Sequence, residues 1–190
     1  ARKGKLCAIR SGRVECFQDH DFGLGPVTVF EDRRGALWVG TDTGVWRWKP
    51  GPLRLYPKIG VVYSLNEDDD GALLAGAGVG IRRLLEGRTE SFPAGKSLGR
   101  FPGRRMLRDR DGGLWIGTHQ RGIIHVHQGR TDVFTKSDGL SGDISCSIFE
   151  DREGNVWFAS TAGVDRFREL PLTTISTRQG LSSDQTNSVI

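Results

Sequence analysis

The residues whose types and spacing could do chemistry are few. Asn66, Asp68, Asp70 and Gly71 fall at positions 1, 3, 5 and 6 of an EF-hand calcium loop. Position 12 of that loop needs a bidentate Glu and is Ala77, so the carboxylate run reads as a turn. His125 and His127 alternate, which on a strand turns both rings to one face, as two metal ligands could stand. No third ligand lies near them in the sequence, and they read as outer-strand residues whose polar ends reach solvent. Cys7, Cys16 and Cys146 match no zinc spacing and no redox pair. No Gly-x-Ser-x-Gly elbow occurs, no Ser-His-Asp or Cys-His arrangement is suggested, and no glycines cradle a phosphate. The expectation is a chain with no catalytic group, no metal and no cofactor of its own.

The elements that hold these residues follow from composition and repetition. The 190 residues include 27 glycines but only 7 prolines, without a strict Gly period, and 36% are apolar. Such a chain can bury a core. No apolar run approaches the roughly 20 residues of a membrane span. The formal charge of +4 comes from 27 basic and 23 acidic residues interspersed along the chain, which excludes a concentrated nucleic-acid footprint.

A repeat then decides the architecture. Asp32-Arg33-Arg34-Gly35-Ala36-Leu37-Trp38-Val39-Gly40-Thr41 returns as Asp109 to Thr118 and again as Asp151 to Ser160, with a weaker copy from Asp68 to Ala77. The equivalent positions Trp38, Leu74, Trp115 and Trp157 are 36, 41 and 42 residues apart. Each copy continues into a glycine, an aliphatic residue and then an Arg or His, as in Gly44-Val45-Trp46-Arg47 and Gly163-Val164-Asp165-Arg166. Each unit reads as four short strands, the first two joined by an Asp-x-x-Gly turn and the last two by an X-Gly hairpin at Ser11-Gly12, Glu86-Gly87 or Gln128-Gly129. The second strands are almost wholly apolar, as expected when both faces are covered. Four-stranded antiparallel units of about 40 residues, covered by their neighbours, are the blades of a β-propeller.

The predicted class is therefore all-β: a partial propeller of about four full blades at 26–56, 61–92, 103–134 and 144–176, plus partial ones at 1–17 and 184–190. A seven-bladed ring would take about 280 residues at about 40 per blade, so the chain reads as a propeller fragment whose open edges are covered by further blades or a second protomer.

These units resemble the two-component regulator propeller repeat, whose pattern is an aliphatic strand, Asp-x-x-Gly, Leu-Trp-Ile-Gly-Thr, then Gly-Leu-x-Arg-Phe. Asp138-Gly139-Leu140-Ser141 before a new first strand belongs to the same pattern. The second unit departs from it at Leu74, Ala75 and Ala77, so its blade must pack with smaller groups. The resemblance implies the periplasmic sensor region of a bacterial hybrid histidine kinase or related regulator, anchored elsewhere in the inner membrane. In one branch of such proteins this part binds breakdown products of polysaccharides, so the implied partner is an oligosaccharide or other small molecule. Alternatives are a propeller enzyme, lyase or hydrolase, and a protein-interaction scaffold.

In a propeller the loop between second and third strands and the link to the next blade share one rim. That places Asp42, Thr43, His119, Gln120, Arg121, Asp138, Ser141, Asp143 and Thr161 on a candidate ligand surface, with Arg100 and Arg104 beside them. Arginine outnumbers lysine 21 to 6, and its planar forks suit an anionic sugar. The loop from Thr118 to Gly122 carries one residue more than its counterpart from Thr41 to Gly44. Finally, a two-residue loop at Ser11-Gly12 sets Cys7 opposite Cys16, where a cross-strand disulfide and two reduced thiols are both admissible. Cys146 is expected to be buried in a first strand.

Overall fold

The computed structural model describes residues 6–17, 22, 26–49, 51–85, 88–92 and 101–168. A hairpin of β1 (Leu6–Arg10) and β2 (Arg13–Phe17) precedes three complete four-stranded antiparallel sheets. The first blade is β3 (Pro26–Glu31), β4 (Leu37–Thr41), β5 (Gly44–Lys49) and β6 (Arg54–Pro57), and the second is β7 (Val62–Glu67), β8 (Leu73–Ala77), β9 (Gly80–Leu85) and β10 (Arg88–Ser91). The third comprises β11 (Gly103–Arg108), β12 (Leu114–Thr118), β13 (Ile123–His127) and β14 (Arg130–Phe134). A fourth has β15 (Ser145–Glu150), β16 (Val156–Ser160) and β17 (Val164–Phe167). Its expected last strand, and the expected start of a blade at 184–190, lie outside the described residues. The remaining regular element among the described residues is a single 3-10 turn, Lys136–Asp138.

The first strands β3, β7, β11 and β15 contact one another in succession, and the hydrophobic cores lie between blades rather than within them. Strand β8 shows why its sequence does not alternate. Leu73, Ala75 and Ala77 join Val45 and Tyr56 of the first blade, while Leu74 joins Leu114, Ile116 and Ile124 of the third, so every residue of the strand is buried. Leu74, Ala75 and Ala77 are the smaller groups anticipated for this blade.

The glycine of the Trp-x-Gly-Thr motif has a packing reason. A Cβ on Gly40 would stand 2.7 Å from the Val62 side chain, and one on Gly76 would stand 2.6 Å from the Gly103 carbonyl oxygen. On Gly117 it would collide with Ser145. Each of these partners opens the first strand of the next blade, so the glycine lets that strand cross against the second strand. The threonine after it closes the following loop: Thr41 and Thr118 hydroxyls donate to the carbonyls of Gly44 and Gly122, both at 3.0 Å. Ala77 has no hydroxyl, and there the strands pair through to Gly80 around a two-residue turn instead.

In every blade the register shifts at the same place in the first strand, as between Gly103 and Arg105 or Ser145 and Ser147. That shift corrects the expectation for Cys146. It is the extra residue of the fourth blade's bulge and is exposed, because the unpaired residue turns outward instead of into the core.

The hairpin β1–β2 pairs in the anticipated register, with Ser11 and Gly12 at φ 48° and 77° as a primed two-residue turn requires. Cys7 and Cys16 are joined by a disulfide, with Cα atoms 4.0 Å apart. Reducing it is expected to lower the hairpin's local stability by about 2–3 kcal/mol, the loop-entropy value for so short a ring. Faster amide hydrogen exchange at Cys7 to Glu15, with exchange in β7 to β13 unchanged, would be the readout.

Candidate functional site

Each blade presents two ends, and the structure shows how differently they are built. At the turn end, the Asp of Asp-x-x-Gly organises its own blade. Asp109 Oδ1 accepts the amides of Asp111 (3.1 Å) and Gly113 (2.6 Å), and Oδ2 accepts the indole N–H of Trp115 at 2.7 Å. Asp32 does the same with Trp38 and Asp151 with Trp157. The third-strand residue then lies against the indole: Arg47 5.8 Å and Arg166 5.6 Å from the ring centroids, and His125 stacked at 4.0 Å. His125 is thus a packed third-strand ring rather than an outer-strand residue reaching solvent. Burial holds it below the ordinary imidazole range, against the opposing pull of Asp109.

The second blade, which lacks the tryptophan, explains its own acidic run. Arg83 Nε donates to Asp68 Oδ2 at 2.9 Å, the position taken by the indole elsewhere, and the same guanidinium pairs with Asp70. Its hydrogen bond holds Asp70 below the usual carboxylate range. No group of three metal-ligating side chains occurs among the described residues.

For Asp151, burial acts upward but is outweighed by hydrogen bonds from Trp157, Asn155 and the loop amides, and its pKa falls to about 2. A depressed carboxylate stabilises the fold above its unfolded value, about 3.9, and that contribution is lost as pH falls toward 2. Asp151→Asn should therefore flatten the acid limb between pH 4 and pH 2, read as the pH dependence of urea midpoints.

The opposite end is the rim on which ligand residues were anticipated. The link from Thr135 to Ile144 is tied down by its own polar groups. Asp138 Oδ2 accepts the Thr135 amide and hydroxyl at 2.9 and 2.8 Å, Asp143 Oδ1 accepts the Lys136 amide at 2.7 Å, and the Ser141 hydroxyl donates to Asp165 Oδ2 at 2.7 Å. These three residues build the rim. Two backbone bonds attach the neighbouring loops to it, Gly122 N to Asp143 O at 2.9 Å and Thr161 N to Ile144 O at 3.2 Å. The structure thus joins the loop carrying His119, Gln120 and Arg121 to the one carrying Thr161, and all four residues are exposed. Asp42 and Thr43 form the corresponding loop of the first blade, where the Thr43 hydroxyl lies 3.0 Å from that of Thr41. Arg100 lies outside the described residues.

Arg104 gives this rim its focus. Its guanidinium is 3.0 Å from His119 Nδ1 and 5.8 Å from the ring centroid of Tyr63, so side chains of the second and third blades meet there. Tyr63 was missing from the sequence-based surface. It sits at the register shift of β7, where the first strand reaches the rim, and the position of that strand in the repeat was its only signal.

A run of antiparallel blades packed through their inner strands defines a β-propeller. Residues 103–120 and 138–162 match the family model described as two component regulator propeller. No curated protein matches it significantly. Among solved structures, it is similar to the extracellular domain of a one component system from B. thetaiotaomicron (TM-score 0.73, 19% identity, 93% of this chain and 26% of that one). A second similar structure is the extracellular domain of a hybrid two component system from the same organism (TM-score 0.61, 19% identity, 74% of this chain and 20% of that one). A third is virginiamycin B lyase from Staphylococcus aureus (TM-score 0.64, 18% identity, 88% of this chain and 64% of that one). At these identities the likeness is one of fold, and the chain spans only about a quarter of the length of the first, 26%.

Proposed function

We propose that this chain is part of the ligand-sensing, extracytoplasmic propeller of a bacterial two-component signalling protein, placed in the periplasm, and that its ligand is an oligosaccharide. The observation that carries the reading is the cluster of Tyr63, Arg104 and His119 where two blades meet on the rim, beside the exposed Gln120 and Thr161. An aromatic ring next to a guanidinium and several neutral hydrogen-bonding groups suits a sugar, which offers both apolar C–H faces and hydroxyls. The family repeats and the likeness to extracellular domains of signalling systems support the sensor reading. Further blades or a second protomer complete the structure around the fourth blade. Signalling is then a population shift: ligand on the rim favours one arrangement of protomers, in proportion to its difference in affinity for the two.

The likeness to a lyase propeller favours one competing reading, an enzyme acting at the same rim. Calorimetric titration with a panel of oligosaccharides tests both. Saturable binding at one site per chain is expected, and His119→Ala or Tyr63→Ala should weaken it by roughly tenfold, the value of one good hydrogen bond or stacking contact. Binding unchanged in both variants would remove the rim from the mechanism.

A further inference from the structure

The turn end of the molecule holds a second site, far from the rim in the fold. Between the first and second blades opens a cleft of about 260 Å³, lined by Arg34, Arg47, Arg54, Trp38 and Tyr56 together with three carboxylates. Those carboxylates are already committed. Asp32 accepts two amides and the Trp38 indole, Glu67 accepts the Arg33 amide at 3.0 Å, and Asp70 accepts the Ala72 amide and pairs with Arg83.

The three arginines are not. None has a carboxylate oxygen within 4.0 Å of its guanidinium among the described residues. Arg47 lies over Trp38 at 5.8 Å and Arg54 over Tyr56 at 5.1 Å, while the two rings approach each other at 5.8 Å. Arg47 Nε is buried with no hydrogen-bond partner. Three guanidiniums thus converge on one cleft, two of them braced by aromatic faces, with their donor forks unused. The cleft's carboxylates balance its charge, but the free forks remain, and planar forks match carboxylate or sulfate oxygens in pairs.

We propose that this cleft binds a compact organic anion carrying two or more carboxylate or sulfate groups, held by Arg34, Arg47 and Arg54. The site is independent of the rim and of the sugar ligand assigned there. Citrate is the probe, titrated calorimetrically into the chain at constant ionic strength. One saturable site is expected. Arg34→Gln and Arg54→Gln should each weaken it by about tenfold, the cost of losing a charge-assisted bond. Arg47→Lys, which keeps the charge and removes the fork, should weaken it as well. Arg34 and Arg54 are exposed, and their side chains donate to no acceptor among the described residues, so both variants should retain the fold, which a thermal melt verifies. Arg104→Gln on the rim should leave citrate binding unchanged, and Arg54→Gln should leave the oligosaccharide titration unchanged. A citrate titration that does not saturate, or one equally strong in the Arg34→Gln/Arg54→Gln double variant, overturns the proposal.

Discussion

Replacing Asp109 by Ala is expected to destabilise the third blade by about 3 kcal/mol, which for a chain of this size lowers the melting temperature by roughly 6–12 °C. The reasoning rests on what the carboxylate holds. It closes the turn through the amides of Asp111 and Gly113, and it satisfies the indole N–H of Trp115, a residue only 7% exposed. Alanine leaves that donor without an acceptor in a core that also contains Ile123, Val156 and Phe158. A buried donor left unmade costs about 1–3 kcal/mol by itself, and the loop amides add to it. Asp109→Asn should also destabilise, because an amide NH₂ facing the indole would set donor against donor. Asp111→Ala, two residues on and exposed, should change stability by no more than about 0.5 kcal/mol. Thermal melts of the three variants make the comparison.

The second large effect belongs to Arg108, which joins two blades. Its side chain is only 10% exposed. Nε donates to the Glu67 carbonyl at 2.9 Å, and the terminal nitrogens reach Asp69 Oδ1 at 2.5 Å, Asp68 Oδ1 at 3.4 Å and the Gly112 carbonyl at 2.7 Å. Arg108→Ala withdraws one of two cations from Asp68, whose carboxylate is 16% exposed and keeps Arg83, leaves the Glu67 and Gly112 carbonyls without their donor, and breaks the tie between the second and third blades. A buried pair broken from one side costs about 3–5 kcal/mol; since Asp68 keeps Arg83 and Asp69 is 80% exposed and rehydrates freely, no more than the low end, about 3 kcal/mol, is expected. Arg108→Lys should recover only part of the loss, because a single ammonium cannot reach four acceptors in one plane. Urea unfolding of both variants measures this, and a Lys variant as stable as the parent would show that charge alone holds the joint.

Arg108 also shows where sequence reasoning stops. The repeat predicts units at 103–134 and 61–92, and the strands β11 to β14 and β7 to β10 run over 103–134 and 62–91. Turns, hairpins and the Cys7–Cys16 register are local, so residue types and spacing carry them. The arginines from 100 to 110, by contrast, look like one cluster in the sequence. β11 runs between them from one end of the blade to the other, and four steps of about 3.3 Å each separate Arg104 on the rim from Arg108 at the turn end by more than 10 Å. Arg104 meets Tyr63 and His119, whereas Arg108 and Arg110 bridge to neighbouring blades. The partners Tyr63, Asp69 and Glu150 are about 40 residues away, one blade period, and which side chain meets which depends on blade rotation and on the shift in the first strand. The same holds for Asp68 to Asp70. Its acidic excess acquires a reason only when Arg83 is seen in place of the indole that Leu74 cannot supply.

Between a sensor and an enzyme, the fate of the bound sugar is decisive. Equilibrium dialysis of the chain against the tightest oligosaccharide of the panel, followed by mass analysis of the recovered ligand, tests this directly. The sensor account predicts one ligand retained per chain and recovered with its mass unchanged after prolonged incubation. Recovery of a cleaved or eliminated product, or no ligand retained from any member of the panel, would contradict it.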